Sequence, residues 1–268
     1  MQNFPRLIPR SECRPAGDET TLESPASRPR LAWSAYANVY DVVLCKTATY
    51  RAMLGDLLGT SGPLPALGDG GVVLDLGCGT GNLSCAILAA HPHTTLIAID
   101  HDPSMAAVFE QKLSGHLSDK PAPGKAFFML ANITEAMNAL SDLGVKADYA
   151  FLVNVLFLVP EAESMLRQIA DGLQPGGELR LSNPHDKTDL DSLFDRFRLD
   201  LAEQNEFASL ENEFNALKAF NDQQLSPMLH RFSQTLLVDT LKQAGFSQLD
   251  HVSSDHYGGQ SVLVSARV

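Results

Sequence analysis

The stretch VVLDLGCGTGNLS, Val72 to Ser84, decides the fold. A β-branched apolar run reaches Asp75 and Leu76 and then breaks into Gly77, Gly79 and Gly81, spaced G-x-G-x-G. A buried strand that passes through glycines into a helix is the entry to a parallel α/β sheet, with the turn's amides facing the crevice beyond the strand's carboxyl end. The spacing departs by one residue from the dinucleotide pattern G-x-G-x-x-G. Asp75 sharpens the difference, because a carboxylate inside the motif repels a pyrophosphate and attracts a ligand that carries an ammonium. These glycines are therefore read as holding no phosphate. Asp100, nineteen residues after Gly81, ends the next apolar run and suits a carboxylate that accepts from two ribose hydroxyls.

Outward from this motif, short apolar runs alternate with helical patterns. VVLDL precedes a helix over 82–90, TLIAID a helix from Pro103 to about Leu117, and AFFMLA a helix over 134–140. DYAFLVN, a helix over 161–173 and ELRLSN follow. Strands apolar on both faces and separated by helices imply a doubly wound sheet. After Asn183 the rhythm breaks. Leu190, Leu193, Phe194, Phe197 and Leu201, then Phe207, Leu210, Phe214 and Leu217, keep helical spacing, so a helical insertion is expected over about 186–232, its acidic other faces solvated. A helix over 233–244, stopped by Gly245, and the runs FSQLDHV and SVLVSAR close the chain. Upstream, Tyr36, Val39, Tyr40, Val43 and Leu44 recur at helical spacing, and a second helical stretch runs to about Leu58. Residues 1–30, rich in proline among Arg, Ser and Glu, read as a flexible arm, and 31–268 as one domain.

The composition narrows the function classes. With 268 residues and 44% hydrophobic content the chain buries a large core, and its net charge of −12 repels nucleic acid and anionic membranes. The four cysteines lack C-x-x-C spacing and are expected to be reduced thiols, which favours the cytoplasm. No apolar run approaches the ~20 residues of a membrane span, and no signal-peptide stretch opens the chain. The expected partners are a small molecule and, at most, a second copy of the chain.

Taken in order, VLDLGCGTG, IAIDHDPSM, LANITE, ADYAFLVNVLFLVPE, LQPGGELRLSN and TLKQAGF resemble the successive motifs of the class I S-adenosylmethionine-dependent methyltransferases. The resemblance spans roughly Leu31 to Val268. It implies an α/β fold with a doubly wound, Rossmann-like seven-stranded sheet, mostly parallel with an antiparallel last strand, plus a helical N-terminal lid. It also implies S-adenosyl-L-methionine as cofactor. Asp75, Gly77, Cys78, Gly79 and Gly81 would surround its amino-acid end, Asp100 and His101 its ribose, and Met105, Asn132 and Ile133 its adenine. LANITE carries Asn132 where the family often has Asp; its amide is expected both to accept and to donate at the adenine amino group. Asn154 falls where the family's backbone meets the methionine moiety. Tyr36, Tyr40 and Asp41 in YANVYD resemble the N-terminal element that closes over the cofactor. The same two tyrosines are equally well read as core positions of an amphipathic helix.

Acid–base candidates rest on position. His185, with Asp186 after the fifth strand, is expected to face the acceptor and could act as a general base. Tyr36 and Asn154 complete the candidate catalytic set. His230, Arg231, His256 and Tyr257 are weaker candidates. Cys78 is read as packing in a crowded turn, and His91 and His93 lack metal-ligand partners. The leading functional expectation is methyl transfer to a nitrogen or oxygen of a small molecule. The alternative is a cyclase or lyase that attacks a non-methyl sulfonium carbon, for example forming azetidine-2-carboxylate and releasing methylthioadenosine. A third reading is a non-catalytic binding module.

Overall fold

The computed structural model describes residues 33–59, 70–118, 125–229 and 231–268; the expected arm over 1–30 lies outside them. Seven strands form one sheet in the order β3-β2-β1-β4-β5-β7-β6. They are β1 (Val72–Leu76), β2 (Thr95–Asp100), β3 (Lys125–Leu130), β4 (Ala147–Val153), β5 (Leu173–Pro184), β6 (Gln248–His256) and β7 (Ser261–Arg267). The first five pair in parallel, while β7 runs antiparallel to both β5 and β6. β1 lies between β2 and β4, and the strand order reverses there, so the crevice opens beyond Leu76 and Val153. From Val73 onward β1 is buried, as a strand covered on both faces must be.

The helices are α1 (Trp33–Leu44), α2 (Ala48–Gly59), α3 (Asn82–Ala90), α4 (Pro103–Ser118), α5 (Ile133–Asp142), α6 (Ala162–Gly172), α7 (Leu190–Glu203), α8 (Phe207–Phe220) and α9 (Gln234–Gln243). Apolar residues of α5, α6 and α9 cover one face of the sheet. Those of α2, α3 and α4, joined by α1, α7 and α8, cover the other. α7 and α8 lie between β5 and α9, followed by a π turn over Asn221–Leu225 and a 3-10 turn over Ser226–Met228.

Two boundaries differ from the sequence reading for visible reasons. α5 starts at Ile133 because Asn132 caps it, its Oδ1 accepting from the Glu135 amide at 2.8 Å. β5 begins at Leu173, ahead of ELRLSN, because Leu173 already pairs with Ala147 before a register shift at Tyr149. α9 runs between its N-cap Ser233 and Ala244, and Gly245 follows at φ +108°.

Candidate functional site

The turn after β1 is shaped by what surrounds it. Gly77 (φ +71°) lies so close to Val155 that a Cβ would strike the valine side chain, and a Cβ on Gly81 (φ +82°) would enter the Phe109 ring. Gly79 is different: a Cβ there meets nothing within 4 Å, so its outer side faces open space. The Gly79 amide donates to Asp100 Oδ2 at 2.8 Å, and the Asp102 amide donates to Oδ1 at 2.9 Å. These two bonds aim the Asp100 carboxylate along the mouth of the crevice and leave each oxygen one further lone pair. Asp75 is 2% exposed and accepts from Ser84 Oγ at 2.5 Å. Burial, reinforced by the nearby Asp100 charge, pushes its carboxyl up to about 7.

A network outside the glycine motif clasps α1 onto this turn. Asp41 Oδ1 accepts from Thr80 Oγ1 at 2.6 Å and from Asn82 Nδ2 at 2.8 Å, and its Oδ2 lies 2.6 Å from Lys112 Nζ of α4. Lys112 also donates to Asn82 Oδ1, and Asn82 Nδ2 reaches the Tyr50 hydroxyl at 3.2 Å. Thr80 and Asn82 flank Gly81, so the helix over the cavity and the loop beneath it share one set of hydrogen bonds.

The clasp borders a cavity of about 790 Å³. Its inner end meets Asp75, the glycine turn, Asp100 and the start of α5; its outer end is walled by α1, α7, α8 and the β6–β7 turn. The outer wall is aromatic. Trp33, Tyr36 and Phe220 stack with centroids 4.5 to 5.8 Å apart, and Tyr257 sits 5.8 Å from Phe197 and 6.3 Å from Tyr50. Burial holds the phenols of Tyr36, Tyr40, Tyr50 and Tyr257 above their ordinary range, hence neutral. Two lining residues other than glycine have left-handed backbone, Asn154 (φ +55°) and Tyr257 (φ +54°). The Asn154 amide donates to Ser182 O at 2.8 Å, while its Oδ1 is buried with no partner. Asn154 thus combines left-handed backbone with a buried, unpartnered carbonyl oxygen at the cavity wall.

Most residues singled out in the sequence converge here. Tyr36, Tyr40, Asp75, Gly77, Cys78, Gly79, Asp100, His101, Met105, Asn132, Ile133 and Asn154 all line the cavity, and Gly81 supports the turn from behind. His101 is 64% exposed at the rim, 3.7 Å from Asp100 Oδ1. Asn132 Oδ1 caps α5 through one lone pair, leaving its second lone pair and Nδ2 for a ligand. One expectation is corrected. His185 does not line the cavity: its Nδ1 accepts from the Lys187 amide at 2.9 Å and its Nε2 donates to Gly259 O at 3.0 Å. With both nitrogens bound to backbone, His185 ties the start of the insertion to the β6–β7 turn and has no free base to offer. His256 is likewise buried, its Nδ1 at 3.2 Å from Asp56 Oδ2. Lys112 and Tyr50 carry no signal in the sequence, and Tyr257 is only a weaker candidate there; the packing of distant elements brings Tyr50 and Tyr257 to the cavity and Lys112 to the clasp beside it.

The residues present fit S-adenosylmethionine. The buried Asp75 offers a carboxylate to an ammonium, the open side of Gly79 admits a ligand against the backbone, and Asp100 keeps acceptor capacity at the mouth of the crevice for hydroxyls. Comparison with known proteins agrees. Residues 74–179 match the family model described as a methyltransferase domain. The chain is 28% identical over 186 residues to the carboxy-S-adenosyl-L-methionine synthase of Shewanella piezotolerans, covering 66% of this chain and 68% of that one. It is 31% identical over 112 residues to the trans-aconitate 2-methyltransferase of Methylobacterium nodulans, covering 42% of this chain and only 38% of that protein's length. An O-methyltransferase family protein from Burkholderia thailandensis shares the fold at a TM-score of 0.51, with 19% identity over 81% of this chain and 55% of that one.

Proposed function

We propose, from the match of residues 74–179 to a methyltransferase domain, that this chain is a class I S-adenosylmethionine-dependent methyltransferase whose methyl acceptor is a small molecule held beneath α1, α7 and α8. The lining of the outer chamber carries this reading. Cofactor and acceptor would share about 790 Å³ lined by side chains of α1 and of the insertion, a volume that suits a small molecule. The net charge of −12 points the same way.

When bound, S-adenosylmethionine supplies a methyl carbon made electrophilic by the sulfonium. The chain's part is to bind, orient and exclude water. Asp75 and Asn154 are read as holding the amino-acid end, Asp100 the ribose, and Met105 and Ile133 the faces of the adenine. Trp33 and Tyr36, backed by Phe220, cover the opposite side with apolar surface. A polyanion such as trans-aconitate is poorly matched: the described lining includes Asp75, Asp100, Glu135 and Glu161 and no lysine or arginine.

Mass spectrometry of the nucleoside product tests the proposal. S-adenosylhomocysteine that appears only with an added small-molecule nucleophile is the expected result. Methylthioadenosine formed without any acceptor would replace methyl transfer by intramolecular displacement at another sulfonium carbon.

A further inference from the structure

We propose that the outer chamber is a binding site for an aromatic or heteroaromatic amine in its uncharged form, with Tyr257 as the residue that hydrogen-bonds the amine. The inference rests on the methyltransferase reading and adds the chemical class of the acceptor.

Charge is the first argument. Among the described lining residues the carboxylates are Asp75, Asp100, Glu135 and Glu161, and no lysine or arginine faces them. Asp75, Asp100 and Glu135 lie at the inner, cofactor end and Glu161 is exposed, so an anionic acceptor in the aromatic half gains no counter-ion from the described lining.

The absence of a base is the second. Among the described lining residues the only imidazole is that of His101, which stands at the exposed rim beside Asp100 rather than in the aromatic half. His185 is sequestered by backbone, and the buried tyrosines are held neutral. A phenol is a strong nucleophile only after it loses its proton, and no described side chain of the aromatic half takes it. An uncharged amine needs no such help. Its nitrogen lone pair forms the N–CH₃ bond as the S–CH₃ bond breaks, the S–C electron pair stays on sulfur as a neutral thioether, and the positive charge moves to nitrogen. The resulting ammonium then releases its proton to water as the product leaves.

Shape and strain are the third. Trp33, Tyr36, Phe194 and Phe197 offer ring surface on several sides, with Phe220 packed behind Trp33 and Tyr36, which matches a flat apolar body. Tyr257 is held at φ +54° in the turn before Gly258 and Gly259. A bulky residue in left-handed backbone costs on the order of 1–3 kcal/mol, and such strain clusters at ligand sites. Tyr257 lines the chamber, and a phenol hydroxyl there can accept from an amine N–H and donate elsewhere.

The test uses Trp33, the only tryptophan of the chain, whose place in the chamber wall makes its emission a direct report of occupancy. Emission of the full chain without cofactor is titrated with aniline and with benzoate, which match in size and differ in charge. Saturable aniline binding at least tenfold tighter than benzoate is expected, and Tyr257→Phe should weaken aniline roughly three- to tenfold with an unchanged circular dichroism spectrum. No saturable aniline response, benzoate within threefold of aniline, or an unaffected Tyr257→Phe would each overturn the proposal. With S-adenosylmethionine added, N-methylaniline should form at least tenfold faster than anisole from phenol; anisole formed as fast or faster overturns the nitrogen assignment. Acceptor-free methylthioadenosine would sink the methyltransferase reading instead, while the emission titrations still decide what the chamber binds.

Discussion

At the scale of single residues, the site is governed by a buried carboxylate, Asp75, and a buried amide oxygen without a partner, that of Asn154. Asp75 is raised to about 7 by burial and by Asp100, so near neutrality it is part protonated until a cation arrives. The sign follows directly. Its folded value lies above its unfolded value, so its contribution to stability is fully present below the unfolded value near 4 and is lost as the pH rises through about 7. A cationic cofactor reverses the preference by favouring the carboxylate. Binding therefore releases a proton below pH 7, and calorimetric affinity for S-adenosylmethionine should rise toward tenfold per pH unit between pH 5 and 7 and then level off. Asp75→Asn should remove that slope; a slope that survives the substitution would assign the proton elsewhere. Asn154 tells the complementary story. Its left-handed backbone is tolerated by asparagine and better still by glycine, and its Oδ1 lacks a partner. Asn154→Gly should raise or preserve the melting temperature while cofactor affinity falls several-fold, the pattern of strain retained for binding rather than for folding.

Among the elements, α1 matters most because one residue fastens it. Asp41 receives Thr80, Asn82 and Lys112, which belong to the glycine turn, the start of α3 and α4. Its side chain is 22% exposed and that of Lys112 26%, so the pair is partly screened and is worth less than a buried one. Asp41→Ala should cost roughly 1–2 kcal/mol of α1 docking, since bonds to a charged group are lost and Thr80 and Asn82 keep unsatisfied donors. The checks are a red shift of Trp33 emission and a five- to thirtyfold loss of cofactor affinity, with the sheet's circular dichroism retained. An unshifted Trp33 would mean that apolar contacts alone hold the helix. The link between the insertion and the β6–β7 turn runs through His185, whose two nitrogens serve Lys187 and Gly259. His185→Ala should lower the melting temperature by about 2–4 °C and leave kcat within about twofold. A collapse of kcat with unchanged stability would restore it as a base.

For the molecule as a whole, what could be read in the chain and what could not divide by sequence distance. The glycine turn, Asp75, Asp100 and the start of α5 lie at the ends of successive strands, so alternation of strands and helices suffices to bring them to one crevice. The helical insertion was visible in the spacing of Leu190 to Leu217 for the same local reason. The aromatic chamber was not. Trp33, Phe197 and Tyr257 meet only after α1, α7 and the β6–β7 turn have docked, and no period in the chain encodes that docking. His185 was misplaced because chain order set it beside the crevice, while its partner Gly259 is 74 residues away. Buried charge is a second long-range feature of this kind. Arg180 is fully buried in β5; its Nε donates to Glu178 Oε1 at 2.7 Å and its Nη1 to Leu57 O, near the end of α2, also at 2.7 Å. Glu178 also accepts from Ser265 Oγ at 2.6 Å and from Arg267 Nη2 at 3.1 Å. The cluster thus joins the sheet to the helix that follows α1, and it does so with charges whose removal from water is costly. Stranding either partner is worse than removing both. Arg180→Met should destabilise the chain by ~3–5 kcal/mol, because Glu178 keeps a buried charge whose remaining partners compensate it only in part, whereas Arg180→Met combined with Glu178→Leu should recover part of that loss. Denaturant midpoints of the two singles and the double close the cycle. A double variant no more stable than the sum of the singles would show that the pair contributes through separate contacts, Arg180 to α2 and Glu178 to β7, rather than through each other.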